Sequence, residues 1–247
     1  MRVADHRRVR LYDVVDAAIR QRLIDNVWKP GTMLPSEMQL AADLNVSQGT
    51  VRRALDALVA EGLLVRRQGV GTFVSTTTNR RELYLYFNLA STSGAREMSQ
   101  IRYVSRSSGP ALAREAERLG IGRNANVIRF KRVRSMAQRP MIIESIVVPE
   151  ALFADLAHEA TPPEHLFRHY ESRYGITVAH ADEFLTAGNA STSEARLLEV
   201  EPGTALLKID RIAFRLGGTR VEWRRSSCDT TRHRYEVHRG AASDLRH

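Results

Sequence analysis

One short segment of the chain combines residue types that suit contact with double-stranded DNA. Small polar residues open a predicted helix and two arginines follow them; the set is Ser47, Gln48, Gly49, Thr50, Arg52 and Arg53. Amide and hydroxyl groups can hydrogen-bond to base edges in the major groove, a helix N-terminus can approach a phosphate, and an arginine can bind guanine through two hydrogen bonds. The alternative is a surface helix whose polar side chains only cap it or face solvent.

A second segment carries two arginines whose spacing suits anion binding. Arg132 and Arg134 lie in a β-prone run, and residues two apart on a strand face the same side of a sheet. Two guanidinium groups on one face form a natural site for a phosphate or a carboxylate. The alternative is a solvated ladder of salt bridges between neighbouring strands.

Two short helices separated by about three residues are predicted to position the DNA-contacting segment. Apolar residues at three- and four-residue spacing predict an earlier helix over residues 11–23. Ser36 then caps the second helix, with Gln39 completing a capping box. Ser47 caps the third helix, which Gly62 ends. The second and third helices therefore form a helix-turn-helix.

A β-hairpin is predicted directly after the third helix. Two β-prone runs within residues 63–74 flank a turn that holds Gly69 and Gly71. The hairpin carries Arg66 and Gln68, so it presents basic and polar groups beside the helix-turn-helix. Such a hairpin forms a wing that can reach DNA.

The order and spacing of these residues resemble the winged helix-turn-helix of GntR-type bacterial transcription regulators. The shared motif runs from Leu34-Pro35-Ser36-Glu37 through Thr50-Val51-Arg52 to the hairpin at 68–74, and the resemblance covers residues 10–75. It implies DNA contacts from the start of the second helix, from the third helix and from the wing tip, at Ser36, Glu37, Ser47, Thr50, Arg52, Gln68 and Gly69.

Two positions depart from the family pattern. Members of the family often have arginine where this chain has Met38 and Gln48. Gln48 could bind adenine, or Arg53 could compensate at the DNA backbone. We therefore expect an operator that differs from those of the arginine-bearing regulators.

The second half of the chain predicts an antiparallel sheet with scattered helices. The β-prone runs lie at 126–135, 140–148, 177–187, 205–214 and 219–228, and Tyr235 is predicted to begin a last edge strand. One helix ends at Gly175 and a smaller helix runs through Ala195 and Leu198. The predicted class is an α+β domain.

This half resembles the UTRA effector-binding domain of the HutC branch of GntR regulators, which shares the chorismate lyase fold. The matching features include Arg132-Val133-Arg134, Glu144, 174–178, 205–209 and Val221-Glu222. The resemblance implies a homodimer that pairs through this domain and a ligand pocket lined by Arg132, Arg134, Glu144 and Glu222. Many relatives have a tyrosine near the end of the last hairpin. In this chain Cys228 replaces it as the candidate effector contact, so the effector class of the sugar-phosphate responders is not assumed.

The overall composition agrees with a two-domain regulator. The chain has 247 residues with 37 Lys+Arg against 28 Asp+Glu, and a net charge of +9 favours an anionic partner. Residues 1–75 hold only 11 of those basic residues against 8 acidic ones, so the positions of individual charges matter more than the total. We predict a DNA-binding domain at 1–75, a linker at 76–82, an effector-binding and dimerisation domain at 83–240 and a frayed tail at 241–247.

The same composition argues against several other classes. A lone cysteine excludes an intrachain disulfide and a cysteine-based zinc cluster. His158, Glu159 and His165 lack the spacing of a zinc motif, so we expect no metal and no cofactor. No apolar run is long enough to span a membrane, and the expected location is cytoplasmic. The predicted partners are a palindromic DNA operator and a small-molecule effector; an enzyme, or a DNA-binding protein without ligand response, are the alternatives.

Overall fold

The computed structural model describes residues 11–76, 89–91, 100–136, 138–160 and 162–237. They fall into two compact units that divide between Thr76 and Thr77. Apart from residue 76, the linker predicted at 76–82 lies outside the described residues, and so does the predicted tail.

The first unit is a three-helix bundle with a two-stranded wing. Its core consists of apolar side chains from all three helices and from the wing, including Ile19, Leu40, Leu55, Leu58 and Leu64. The wing strands are antiparallel, with Leu64 opposite Val74. The elements are α1 (Leu11–Ile24), α2 (Glu37–Asp43), α3 (Gln48–Ala60), β1 (Leu64–Arg67) and β2 (Gly71–Val74).

Local sequence signals explain where these helices begin. The Ser36 side chain accepts a hydrogen bond from the Gln39 backbone, and the Gln39 side chain accepts one from the Ser36 backbone, which is the predicted capping box. The Ser47 hydroxyl accepts from the Thr50 backbone at the start of α3. The predicted helix-turn-helix is confirmed.

The second unit is built on one antiparallel sheet of six strands in the order β4-β5-β6-β9-β8-β7, with a separate pair formed by β3 and β10. A one-turn 3-10 helix spans Glu150–Leu152. The strands are β3 (Leu89–Ser91), β4 (Gln100–Pro110), β5 (Asn126–Met136), β6 (Arg139–Pro149), β7 (Val178–Asn189), β8 (Ala205–Arg215), β9 (Arg220–Asp229) and β10 (His233–Tyr235). The helices are α4 (Ala113–Leu119), α5 (Leu166–Tyr174) and α6 (Thr192–Leu198).

Helices cover both faces of this sheet. On one face, hereafter the α5 face, Phe167 and Tyr170 of α5 pack with Phe130 and Ile146 of the sheet. On the opposite face, hereafter the α4/α6 face, α4 and α6 cover two separate apolar clusters. Residues on each strand alternate between the two faces, so neighbouring residues in the sequence belong to different sites.

The predicted α+β class with an antiparallel sheet is confirmed, with differences in detail. Tyr235 ends the last strand instead of beginning it, because β10 pairs with Leu89–Ser91 in the small sheet. Strands β3 and β4 and helix α4 have no counterpart among the sequence predictions. Each helix in the described part of the chain is too short or too polar to cross a lipid bilayer.

Candidate DNA interface and effector site

The start of α3 presents an exposed polar surface. Ser47, Gln48 and Gly49 are all exposed there. The Ser47 hydroxyl also lies 2.8 Å from the Thr50 hydroxyl, so both side chains are ordered at the helix N-terminus. A β-carbon built on Gly49 would have only the Ser47 hydroxyl near it, at 3.9 Å, so this turn is open to a close approach. The N-terminus of α3 can therefore meet a phosphate or a base edge.

Glu37 holds side chains from α3 and the wing in one cluster. Its carboxylate accepts hydrogen bonds from Arg52 at 2.9 Å, from Gln48 at 3.2 Å and from Arg66 at 3.2 Å. Arg66 also forms a salt bridge with Asp56 at 2.8 Å. The hydrogen bond from Arg52 lowers the pKa of Glu37, so the carboxylate is ionised near neutral pH. We call Glu37, Gln48, Arg52 and Arg66 the Glu37 cluster.

The wing tip is exposed and tightly turned. Gln68 and Gly69 lie at the turn, where Gly69 has a φ of +72° and a β-carbon added to it would meet nothing within 4 Å. Its left-handed backbone, and not lack of space, therefore favours glycine. On the strand beside the turn, the Arg67 guanidinium lies 4.4 Å from the centroid of the Phe73 ring, which orients one basic group on the wing.

The remaining predicted DNA contacts lie around this surface. Ser36 is exposed at the start of α2, and Met38 beside it is 71% exposed. Arg53 is directed towards α1, where its guanidinium lies 5.5 Å from the centroid of the Tyr12 ring. Arg53 is thus separate from the Glu37 cluster, and a backbone contact suits it better than a base contact.

In the second unit, the predicted effector residues meet on the α5 face of the sheet. Arg132 lies directly opposite Glu144 on the neighbouring strand, and its Nε donates to the carboxylate at 2.5 Å. Arg134 lies 3.6 Å from the same carboxylate. Arg132 and Glu144 are fully buried, and Arg134 is 6% exposed. The charges are therefore paired across strands, as in a ladder of salt bridges. They are buried, however, whereas the alternative interpretation expected a ladder exposed to solvent.

Glu222 joins this group through an arginine that the sequence analysis did not single out. Arg224 donates to Glu222 at 2.8 Å and to Glu144 at 2.8 Å, so it bridges the two carboxylates. The Tyr170 hydroxyl of α5 donates to Glu222 at 2.9 Å. Strand alternation could have found Arg224, since it lies two residues after Glu222 and must share its face. We call Arg132, Arg134, Glu144, Glu222 and Arg224 the buried charge cluster.

The electrostatics of this cluster favour an additional negative charge. Among the residues that the structure describes, three guanidinium groups of this cluster face two carboxylates in a buried region, an excess of one positive charge. Burial alone would raise the pKa of Glu144, but Arg132 and Arg224 lower it well below its usual value. Burial also raises the pKa of Tyr170 well above its usual value, so its hydroxyl stays a hydrogen-bond donor. Glu144 is therefore ionised at neutral pH.

A segment before α5 lies over the cluster. Arg132 donates from Nη1 to the Glu164 carbonyl at 3.1 Å, and the Tyr103 hydroxyl donates to the Pro163 carbonyl at 2.7 Å. One donor of Arg132 is thus satisfied by a backbone oxygen, which an anion could replace. This segment connects the buried charges directly to the start of α5.

Cys228 shares the α5 face but lies among apolar side chains. It is buried against Met141, Ile142 and Ile209, and burial raises the pKa of its thiol to about 12. As an effector contact, Cys228 would supply an apolar surface. Within the described ranges, the structure brings together no group of three or more potential metal ligands. His169 lies 2.7 Å from the Glu159 carboxylate.

A winged helix-turn-helix followed in the same chain by a domain with a buried, charged site is typical of DNA-binding regulators that respond to a ligand. Two family models match the chain: "Bacterial regulatory proteins, gntR family" over residues 11–74 and "UTRA domain" over residues 96–234. The chain therefore belongs to the GntR family of bacterial transcription regulators and carries a UTRA domain, as in the HutC branch.

Curated relatives agree with this assignment over most of their length. The chain is 30% identical to the HTH-type transcriptional repressor NagR of Bacillus subtilis, covering 87% of this chain and 89% of that protein. It is 30% identical to the histidine utilization repressor of Pseudomonas putida, covering 81% of each. The solved structure of PhnF from Mycobacterium smegmatis has a TM-score of 0.57 at 22% identity, covers 92% of this chain and 99% of that one, and supports the fold. The protein is a transcription regulator and not an enzyme.

Proposed function

We propose that the protein is a homodimeric repressor that binds a palindromic operator and releases it when a small anion binds in the second unit. The observation that carries the effector part is the buried charge cluster, in which three guanidinium groups meet two carboxylates among the described residues. The curated relatives named as repressors support the direction of control.

The DNA part of the proposal rests on the first unit. The predicted contacts from α2, α3 and the wing, including the Glu37 cluster, lie on exposed parts of that unit. A helix-turn-helix reads one half-site, so a two-fold symmetric protein reads a palindrome with half-sites about one helical turn apart. Dimerisation through the second unit follows the expectation from the family.

The effector part depends on an exchange of partners at Arg132. An anion entering the cluster would take over the donor that now binds the Glu164 carbonyl, and its charge would neutralise the excess. Displacing that carbonyl would move the segment before α5. A ligand shifts a conformational equilibrium only if its affinity differs between the two states. The exchange of partners at Arg132 supplies that difference, and it therefore couples effector binding to operator binding.

Operator binding and effector response can be tested separately. A duplex selected from a random library provides the operator, and fluorescence anisotropy measures binding with and without anionic metabolites chosen by thermal shift. We expect Arg134→Ala to bind DNA normally and to lose the effector response. Arg123→Ala, on the surface of the same unit, is the matched control. A normal effector response in Arg134→Ala would rule out this effector site, and failure to select any duplex would rule out the proposed operator binding.

A further inference from the structure

A row of polar residues crosses the α4/α6 face of the sheet, on the side opposite the buried charge cluster. Lys131, Ser145, Arg225 and Asp210 are register partners on four consecutive strands, β5, β6, β9 and β8. Helix α4 covers the apolar cluster on one side of this row and α6 covers the cluster on the other side. The row is therefore the floor of a cleft that α6 borders on one side.

The cleft is an open cavity of about 350 Å³. Its volume falls within the roughly 300–1,000 Å³ of small-molecule sites in proteins. Besides the row itself, the lining includes Thr186, Glu194, Lys208 and Ser227. The floor thus offers hydroxyl groups and cations together, which are the groups that bind oxyanions.

One wall of the cleft is held rigidly. Glu194 caps α6 through its contact with the Ser191 backbone, and it also accepts from Lys208 at 2.5 Å and from Ser227 at 2.7 Å. Burial opposes ionisation of Glu194, but these hydrogen bonds lower its pKa to about 2. The stem of Lys208 runs beside Gly188, where a β-carbon would approach it to 3.3 Å. Lys208 is therefore fixed at the cleft with its charge neutralised by Glu194.

The floor has positive charge left over after its internal pairs are counted. Asp210 forms a salt bridge with Arg118 and accepts from the Trp223 indole at 2.9 Å. The Lys131 side chain forms no hydrogen bond or salt bridge within the part of the chain that the structure describes. Arg225 likewise forms none there, and its guanidinium lies 4.7 Å from the centroid of the Trp223 ring. Among the described residues, two cations thus face the cleft without a salt-bridge partner.

We propose that this cleft is a second binding site, which takes a small organic molecule through a doubly charged oxyanion group such as a phosphate monoester. Lys131 and Arg225 lie two strands apart, about 10 Å between their Cα atoms, and Ser145 lies between them. Their long side chains can converge on one group, with the Ser145 hydroxyl as a third donor. A second copy of this chain is the competing occupant, and the oligomeric state of the variants distinguishes it.

Trp223 offers a direct signal for this site. The chain has two tryptophans, so Trp28→Phe leaves Trp223, whose ring contacts Arg225 and whose indole donates to Asp210. Full-length Trp28→Phe protein is titrated with sulfate and with inorganic phosphate at constant ionic strength, and calorimetry is run in parallel. We expect a saturable change in Trp223 fluorescence with a dissociation constant on the order of 1 mM or tighter.

Variants of the two cations then assign the binding. We expect Lys131→Gln and Arg225→Gln each to weaken sulfate binding by roughly tenfold or more, since each removes a charge-assisted contact. Arg123→Gln, a surface cation of the same unit, should bind sulfate like the parent. Arg134→Ala should also retain it, which separates this cleft from the effector site on the α5 face.

Three results would overturn the proposal. One is the absence of a saturable response to either anion. Another is binding that survives in Lys131→Gln and Arg225→Gln but disappears in Arg134→Ala, which would place the anion in the buried charge cluster. The third is a change in oligomeric state by sedimentation in Lys131→Gln with sulfate affinity unchanged, which would make the cleft an interface between copies. None of these results bears on operator binding by the first unit.

Discussion

Replacing Glu144 with glutamine tests whether the buried charge cluster is held together by this carboxylate. In the parent chain, Glu144 accepts from Arg132 at 2.5 Å and from Arg224 at 2.8 Å, and Arg134 lies 3.6 Å away. Glutamine has nearly the same shape but no charge, and its amide nitrogen would face a guanidinium. Three buried cations would then share Glu222 as the cluster's remaining carboxylate.

Glu144→Gln is expected to lower the free energy of unfolding strongly, because all of these charged groups are buried. Removing one partner of a buried ion pair typically destabilises a protein by about 3–5 kcal/mol. Glu144 serves several arginines, so Glu144→Gln should lie within or above that range. Urea unfolding, followed by Trp223 fluorescence in a Trp28→Phe background, measures the second unit alone. The exposed Glu201→Gln is the matched control, and it should change stability by less than about 0.5 kcal/mol.

The pH dependence gives an independent check on the same residue. The folded-state pKa of Glu144 lies well below its usual value, so its stabilising contribution is complete above the unfolded pKa of about 4.3 and is lost as the pH falls towards the folded pKa. The stability difference between parent and Glu144→Gln should therefore be constant at neutral pH and shrink in acid. A difference below about 1 kcal/mol at neutral pH would refute the assignment of Glu144 as the charge that balances the cluster.

Three further predictions concern other parts of the chain. Arg52→Ala should weaken binding to the selected operator by about 1–3 kcal/mol, measured by anisotropy, and an equal loss on a scrambled duplex would argue against a base contact. Glu37→Gln should change the free energy of unfolding by less than about 1 kcal/mol, since the partners of Glu37 are exposed. It should nevertheless reduce the ratio of operator affinity to scrambled-duplex affinity, because Arg52 loses the partner that orients it. An unchanged ratio would show that Glu37 does not position Arg52. The Cys228 thiol, with its pKa raised to about 12, should resist alkylation at pH 8 in native protein and react in urea, and rapid labelling of native protein would contradict the burial.

Local signals in the sequence were sufficient to predict the first unit. Capping residues act within one helical turn, so Ser36 with Gln39, and Ser47 with Thr50, define where α2 and α3 begin. The Glu37 cluster was not predictable in the same way. Its members are brought together by the packing of α2, α3 and the wing, and no spacing within one element indicates that contact.

The second unit shows the same division. Strands β5, β6 and β8 contain buried apolar residues that mark them as strands, and the sequence predicted them together with β7 and β9. Strand β4 is an edge strand with mostly exposed, polar residues, so it lacks the apolar pattern that identifies a strand. The bridge made by Arg224 was accessible from alternation alone, whereas the Tyr170 contact depends on where α5 docks.

Consecutive residues of the central strands serve opposite sides of the sheet. Lys131 faces the open cleft while Arg132 lies in the buried charge cluster. Likewise, Arg225 faces the cleft while Arg224 lies in the cluster. A shift of either strand along its axis would displace a cation on both sides at once. Two anions bound on opposite sides would then be thermodynamically linked. Linkage is reciprocal, so if the first anion changes the affinity for the second by some factor, the second changes the affinity for the first by the same factor. A six-stranded sheet one residue thick would in this way act as the coupling element between them.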